Sequence, residues 1–254
     1  LLIRLFDLER GTEQAPKIDG MNWNPAWLPD GRLSFTSMRK GDFDAYVKDA
    51  GGMGEEHALL TGLDDTDPVA WTRDGRLVFQ GSEPDGAYPL KLIDPRAPAR
   101  TIRLTEQHVE NGGALSPDDR WLLYQSAATG RTLVYVRPLS GDASAVPLSM
   151  KTGGFPVFLP DGRTLAFVRN GRIVVMPWRS VNGRFEIGSE RPIAPLAVGT
   201  GWMFGSPYDA ARDGRFLALV RTEPEPPPRI RVVLGWDRDV ARLDPNPATP
   251  AGAR

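Results

Sequence analysis

Residues 25–37 read PAWLPDGRLSFTS: an apolar stretch around Trp27, a proline, an Asp-Gly-Arg turn, then a run in which apolar and small polar side chains alternate. The Asp-Gly pair is the decisive step. Glycine takes positive φ without a Cβ clash and the aspartate bonds nearby backbone amides, so the pair reverses the chain and holds its flanking strands in register. Working outward, the pattern recurs as PVAWTRDGRLVFQGS at 68–82, GALSPDDRWLLYQS at 113–126, PVFLPDGRTLAFVRN at 156–170 and PYDAARDGRFLALVRT at 207–222. The turn aspartates Asp30, Asp74, Asp118, Asp161 and Asp213 follow one another at steps of 44, 44, 43 and 52 residues. Gly31, Gly75, Gly162 and Gly214 complete four of the turns, and Asp119 replaces glycine in the third.

A strand-built repeat of roughly 40 to 50 residues is the period of a β-propeller blade. The expected fold is all-β: a propeller of four-stranded antiparallel blades, six in number, one of them incomplete in this chain. In the first repeat the strands are 26–28, 33–37, 45–48 and 58–60. Third strands recur at 88–93, 132–136, 172–176 and 229–234, and outer strands at 101–104, 145–148 and 191–193. Pro147 and Pro192 suit outer strands, where an edge has no ladder bond to lose. The start is out of phase: 3–8 and the following GTEQAPKI read as third and fourth strands alone. The expected organisation is a single propeller over 1–243, with a half blade at 1–18, blades at 24–62, 67–106, 112–150, 154–195 and 206–236, and a disordered tail at 244–254. The proline-rich EPEPPPR at 223–229 reads as a loop within the last blade.

Composition narrows the partners. With 31 Lys and Arg against 32 Asp and Glu the net charge is −1, so no bulk field draws a phosphate backbone or an anionic membrane, and nucleic acid is excluded as a partner. The absence of cysteine removes disulfides, thiolate nucleophiles and thiolate metal sites together. No stretch has the apolar length of a transmembrane helix, and LLIRLFDLERG carries charge too early for a signal peptide.

Candidate chemistry is sparse. His57 and His108 lie in polar connections without an orienting partner, and the serines lack a G-x-S-x-G elbow. GLDDTDP gathers Asp64, Asp65 and Asp67, the oxygen ligands Ca²⁺ takes, but not in the D-x-[DN]-x-[DN]-G spacing, and it reads as a solvated loop between blades. The turn aspartates read as structural. Trp27, Trp71 and Trp121 are expected to pack between blades. Trp202, Met203 and Phe204, in AVGTGWMFG within the longest interval between repeats, form the candidate partner-binding cluster. No catalytic residue, cofactor or metal is expected.

The unit PAW-x-PDGR-x-x-F-x-S resembles the WD40-like repeats called PD40, found in the propeller of the periplasmic protein TolB. LVYVRPLSG at 133–141, YDAARDGRFLALVR at 208–221 and IRVVLGWDRDVARL at 230–243 resemble, more closely, the C-terminal propeller of certain bacterial serine/threonine kinases and their kinase-free relatives. The chain departs from that family at Asp119 and at Gly235, where the family commonly has asparagine, and no kinase motif is present. The resemblance implies a non-enzymatic interaction or scaffolding propeller on the periplasmic face of a bacterial membrane. Its partner is then a protein, within a membrane-embedded complex to which this chain is extrinsic. Two alternatives are the ligand-sensing propeller of a kinase and the accessory propeller of a hydrolase.

Overall fold

A computed structural model describes residues 3–218 apart from 8, 42, 52–53, 61–62, 64, 106–109, 141–143, 149, 197–205 and 212. The described strands all belong to one compact unit, Leu1–Arg221. In chain order they are β1 (Leu5–Asp7) and β2 (Thr12–Gln14); β3 (Asn22–Trp27), β4 (Arg32–Ser37), β5 (Asp44–Asp49) and β6 (His57–Leu60); β7 (Asp67–Trp71), β8 (Leu77–Gln80), β9 (Leu90–Ile93) and β10 (Ile102–Arg103). Then come β11 (Glu110–Leu115), β12 (Trp121–Ser126), β13 (Leu133–Pro138) and β14 (Val146–Pro147); β15 (Gly154–Phe158), β16 (Thr164–Arg169), β17 (Arg172–Val181), β18 (Arg184–Ile187) and β19 (Arg191–Pro195); and β20 (Tyr208–Ala210) with β21 (Phe216–Ala218).

These strands form sequential antiparallel sheets. β3 to β6, β7 to β10 and β11 to β14 are each four-stranded, whereas β1–β2 and β20–β21 are two-stranded among the described residues. First strands pack side by side, β3 on β7, β7 on β11 and β11 on β15, as the innermost strands of propeller blades do. Every one of these four first strands carries a bulge against its second strand, between Trp23 and Ala26, Pro68 and Ala70, Asn111 and Ala114, and Gly154 and Val157. A bulge sharpens local twist, and its repetition gives each sheet the same bend where the sheets converge.

Burial follows the period of two. On β4, Leu33 and Phe35 face back toward Ile3, whereas Ser34 faces forward to the next sheet. On β8, Leu77 and Phe79 face back to Ala45 and Leu60, and Val78 faces forward to Leu122 and Tyr124. These second strands are therefore covered on both sides, and each fully buried aromatic contributes about 1.5–3 kcal/mol of transfer free energy.

Three observations depart from the sequence reading. The third strand of the second sheet starts at Leu90, not at 88, because Tyr88 turns aside to another bond described below. Strand β17 extends to Val181 and returns as β18, which makes the fourth sheet five-stranded, with β19 also paired to β17. The turn responsible is Asn182-Gly183, both at positive φ (48° and 73°), the strongest short hairpin signal in the chain. Trp27 does not pack between sheets: it is 56% exposed. Trp71 and Trp121 are part-buried and buried respectively. The expected strand at 229–234 and the tail lie outside the described residues.

The Asp-Gly turns hold as read. Gly31, Gly75, Gly162 and Gly214 have φ of 87°, 84°, 69° and 85°, and Asp119 adopts 56° in the same place. Its carboxylate accepts the Arg73 amide of the preceding sheet at 2.7 Å, a bond glycine cannot make. Gly75→Ala should lower stability by about 1–2 kcal/mol, whereas Asp119→Gly, which relieves φ as it loses that bond, should change it by less than about 1 kcal/mol. Urea midpoints measure both.

Candidate functional site: the Asp67 junction and the exposed Trp27

Asp67 opens β7 and is 8% exposed. This corrects the reading of 64–67 as a solvated loop, since the strand begins one residue before Pro68 and carries Asp67 inside. Three neutral donors from separate segments converge on its carboxylate. The Trp23 indole N–H donates to Oδ1 at 3.1 Å, the Thr36 hydroxyl to Oδ1 at 2.5 Å and the Tyr88 hydroxyl to Oδ2 at 2.7 Å. The first two come from the first sheet and the third from the loop before β9, so the carboxylate ties two sheets together where their first strands meet. Asp65 sits nearby at φ 41°. Among the described residues no group of three His, Cys, Asp or Glu is arranged to hold a metal ion.

Similar locks recur along the stack. Gln125 Oε1 accepts the Phe155 amide at 2.7 Å and the Tyr208 hydroxyl donates to the Phe155 carbonyl at 2.9 Å, fixing Phe155 at φ 53° from the sheets on either side. Gly154 is required beside it: a Cβ there would lie 2.5 Å from Gln125 Oε1 and displace the acceptor. Burial, then the Asp67 charge and hydrogen bond, pushes the Tyr88 phenol far above the ordinary tyrosine value; burial, then Asp209, does the same to Tyr208.

A raised phenol has a definite sign in stability. The contribution is present below the unfolded tyrosine value, about pH 10, and is lost as pH rises above it, because the unfolded chain ionises and the folded one does not. Urea midpoints should hold from pH 8 to about 10 and then fall. Replacing Tyr88 and Tyr208 by Phe should flatten that fall, and an unchanged slope would contradict the assignment.

The turn aspartates are exposed and spoken for. Asp30 is held below the ordinary carboxylate value by the Arg32 side chain and amide, Asp74 by Arg76 and then Thr72, and Asp213 by the Arg215 amide and then its side chain. At Asp161 burial is the largest influence and acts upward, but the Thr164 hydroxyl and the Arg163 and Thr164 amides together outweigh it. Asp118 accepts the Ser116 hydroxyl at 2.5 Å and the Arg120 amide at 3.2 Å. An open cleft of about 380 Å³ is lined by Lys17, Asp19, Lys48, Gly54, Glu55 and Glu56. Glu56 there is paired with Arg39 at 2.9 Å and with Lys48 at 3.3 Å. Trp202, Met203 and Phe204, the candidate partner-binding cluster, lie outside the described residues, as do Asp64 and His108; His57 is exposed at the start of β6.

Trp27 is the feature the turn motif did not single out. It ends β3 opposite Leu33, as Trp71 ends β7 opposite Leu77. The Trp71 indole reaches the preceding sheet, donating to Ser34 Oγ at 2.9 Å, whereas Trp27 stands in solvent.

No family model matches the chain, and no curated protein matches it. Among solved structures it is similar to TolB from Acinetobacter baumannii, at 18% identity and a TM-score of 0.62 over 77% of this chain and 49% of that one. The chain thus spans about half the length of that relative. Putative TolB from Agrobacterium tumefaciens follows at 17% identity and 0.56, covering 87% of this chain and 97% of the other. A gluconolactonase from Xanthomonas campestris aligns at 15% identity and 0.57, over 83% and 73%. The likenesses extend to a periplasmic gluconolactonase of Pseudomonas aeruginosa and a puromycin-hydrolyzing peptidase of Mycobacterium tuberculosis. They correct the expectation of a chain without enzymatic function, because enzymes share this architecture and the fold carries no such exclusion. At these identities the comparisons establish architecture: the chain folds as a TolB-type β-propeller.

Proposed function

We propose that this propeller is a protein-interaction and scaffolding module of a bacterial envelope protein. It works on the periplasmic side as an extrinsic subunit of a membrane-associated complex. The observation that carries the proposal is Trp27, a large aromatic 56% exposed on an otherwise well-packed sheet. Tryptophan is the side chain most enriched where partners anchor. The locks at Asp67, Asp119 and Phe155 give it a rigid base, so little ordering cost attends binding. Likeness to TolB and to a periplasmic gluconolactonase supports the compartment. Among the described residues no helix is long and apolar enough to cross a membrane. A ring of six blades and kinship with the kinase-linked propellers belong to the same proposal.

The test is recovery of the tagged protein from envelope extracts in mild detergent. The expected result is co-purification with a protein partner in fixed proportion. Recovery as a lone monomer would overturn the proposal.

A further inference from the structure

Among the described residues, three buried polar atoms without a hydrogen-bond partner fall at one place: the Trp121 and Trp178 indole N–H groups and the Ser180 hydroxyl. Trp121 opens β12, and Trp178 and Ser180 lie on β17, so the place is the junction of the third and fourth sheets at their Asp-turn end. Both tryptophans are more than nine-tenths buried, at 6% and 7% exposure. A buried donor loses its water on folding, and these receive no oxygen in return. Four rings fill the same place. Phe185 of β18 stacks on Trp178, with centroids 5.1 Å apart and 11° between the planes. It is edge-to-face with Trp121 at 5.1 Å and with Phe158 at 6.3 Å, and Phe158 is edge-to-face with Trp178 at 4.9 Å. Ser180 is its register partner on β17. One ring thus meets every member of the cluster. A ring face offers an indole N–H at most a weak contact, well short of what a carbonyl oxygen offers.

The hairpin that brings Phe185 is lightly tied. β16 runs in register with β17 only as far as Pro177, so residues 178–181 have β18 as their ladder neighbour. β18 is four residues long, lies between Gly183 and Gly188, and follows a turn exposed from Asn182 to Arg184. Its side-chain tie, Arg179 to Glu186 at 2.7 Å, is exposed and contributes little. Phe185 itself is only part-buried. Swinging residues 184–187 about the two flanking glycines uncovers both tryptophans and leaves β15, β16 and β19 in place.

We propose that the β17–β18 hairpin is a lid with Phe185 as its plug, closing a site for a proline-rich segment of the partner protein. The match is one of hydrogen-bond chemistry. The cluster offers flat apolar rings and three groups able to donate, two indole N–H and one hydroxyl, with no charged side chain among its members. A polyproline segment is the complement. Its carbonyls accept, it has no amide N–H of its own to satisfy, and its rings stack on aromatic side chains at low ordering cost because the chain is already extended. An ordinary peptide brings N–H donors for which the Ser180 hydroxyl is the one acceptor in the cluster. Proline rings then take the place of Phe185, and the carbonyls beside them give the indoles the oxygen that the phenyl ring cannot. The inference rests on the interaction reading above in taking the ligand to be part of a protein; it makes no use of Trp27.

The probe is decaproline, titrated into the intact chain isotope-labelled at its tryptophan indoles, with a Gly-Ser peptide of equal length as control. Each indole N–H gives its own magnetic resonance signal, and single Trp→Phe variants assign them. Saturable downfield shifts are expected at Trp121 and Trp178, with the exposed Trp27 and the Ser34-bonded Trp71 unmoved. Phe185→Ala, which removes the plug, should tighten decaproline by about tenfold, because the ligand no longer has to select the open lid. Trp178→Phe, which keeps a ring and deletes the donor, should weaken it by about fivefold. Trp121→Phe makes the same test from the other sheet, and circular dichroism checks that each variant folds. Absence of saturable binding to both the wild type and Phe185→Ala would overturn the proposal. So would shifts confined to other tryptophans, equal binding of the Gly-Ser peptide, or an affinity indifferent to both Trp→Phe changes. If a partner co-purifies but decaproline fails to bind, the lid falls and the interaction reading stands; if decaproline binds as described but no partner is recovered, the reverse holds.

Discussion

Asp67→Ala is expected to destabilise the protein by about 3–5 kcal/mol, since it removes the one acceptor on which the Trp23 indole, the Thr36 hydroxyl and the Tyr88 phenol converge at one sheet junction. Each donor was desolvated on folding against a full carboxylate, and removing the acceptor leaves that cost uncompensated. Tyr88→Phe removes one donor and leaves two, so it should cost about 1 kcal/mol. Urea denaturation followed by tryptophan fluorescence reports both. A loss below about 1 kcal/mol for Asp67→Ala would mean that water replaces the carboxylate and that the junction is not a lock.

Phe79→Ala should cost a comparable amount, about 3–5 kcal/mol. Phe79 is 1% exposed, on the second strand of the second sheet, and it faces back into Ala45, Leu60 and Ile93. Those neighbours belong to two sheets whose backbones are held by ladder bonds, so the site cannot collapse onto the void. Phe35 and Phe167 occupy the same step of their repeats at 0% and 1% exposure and should behave alike. Trp27→Ala is the contrast: a larger side chain, exposed, with an expected effect on folding within about 0.5 kcal/mol.

What the sequence revealed follows from how local each cause is. Asp-Gly turns and alternation act over a handful of residues, and the second strands around Phe35, Phe79 and Phe167 were legible from them. Asn182-Gly183 is equally local, an Asn-Gly hairpin signal, but the four-strand period of the repeat allots no place to the added strand it makes. Asp67 was misread because its surroundings, DDTDP, look like a solvated acidic loop. Its burial depends on donors 44, 31 and 21 residues away, which no short window contains. Trp27 was misread for the opposite reason. Its local motif matches that of Trp71, and the difference lies in a contact 37 residues from Trp71, the Ser34 hydroxyl, for which Trp27 has no described counterpart.

The enzymatic question turns on the same limit. Scarce histidine and missing motifs suggested a chain without chemistry, but propellers gather side chains from several blades, and structures of the same architecture include gluconolactonases. Activity in this fold has no short linear signature from which its absence can be read.

The most direct measurement compares the envelope partners recovered with the wild-type chain and with Trp27→Ala at matched stability. The account predicts a partner in fixed proportion with the wild type and its loss, by tenfold or more, with the variant. Equal recovery by both proteins would contradict it.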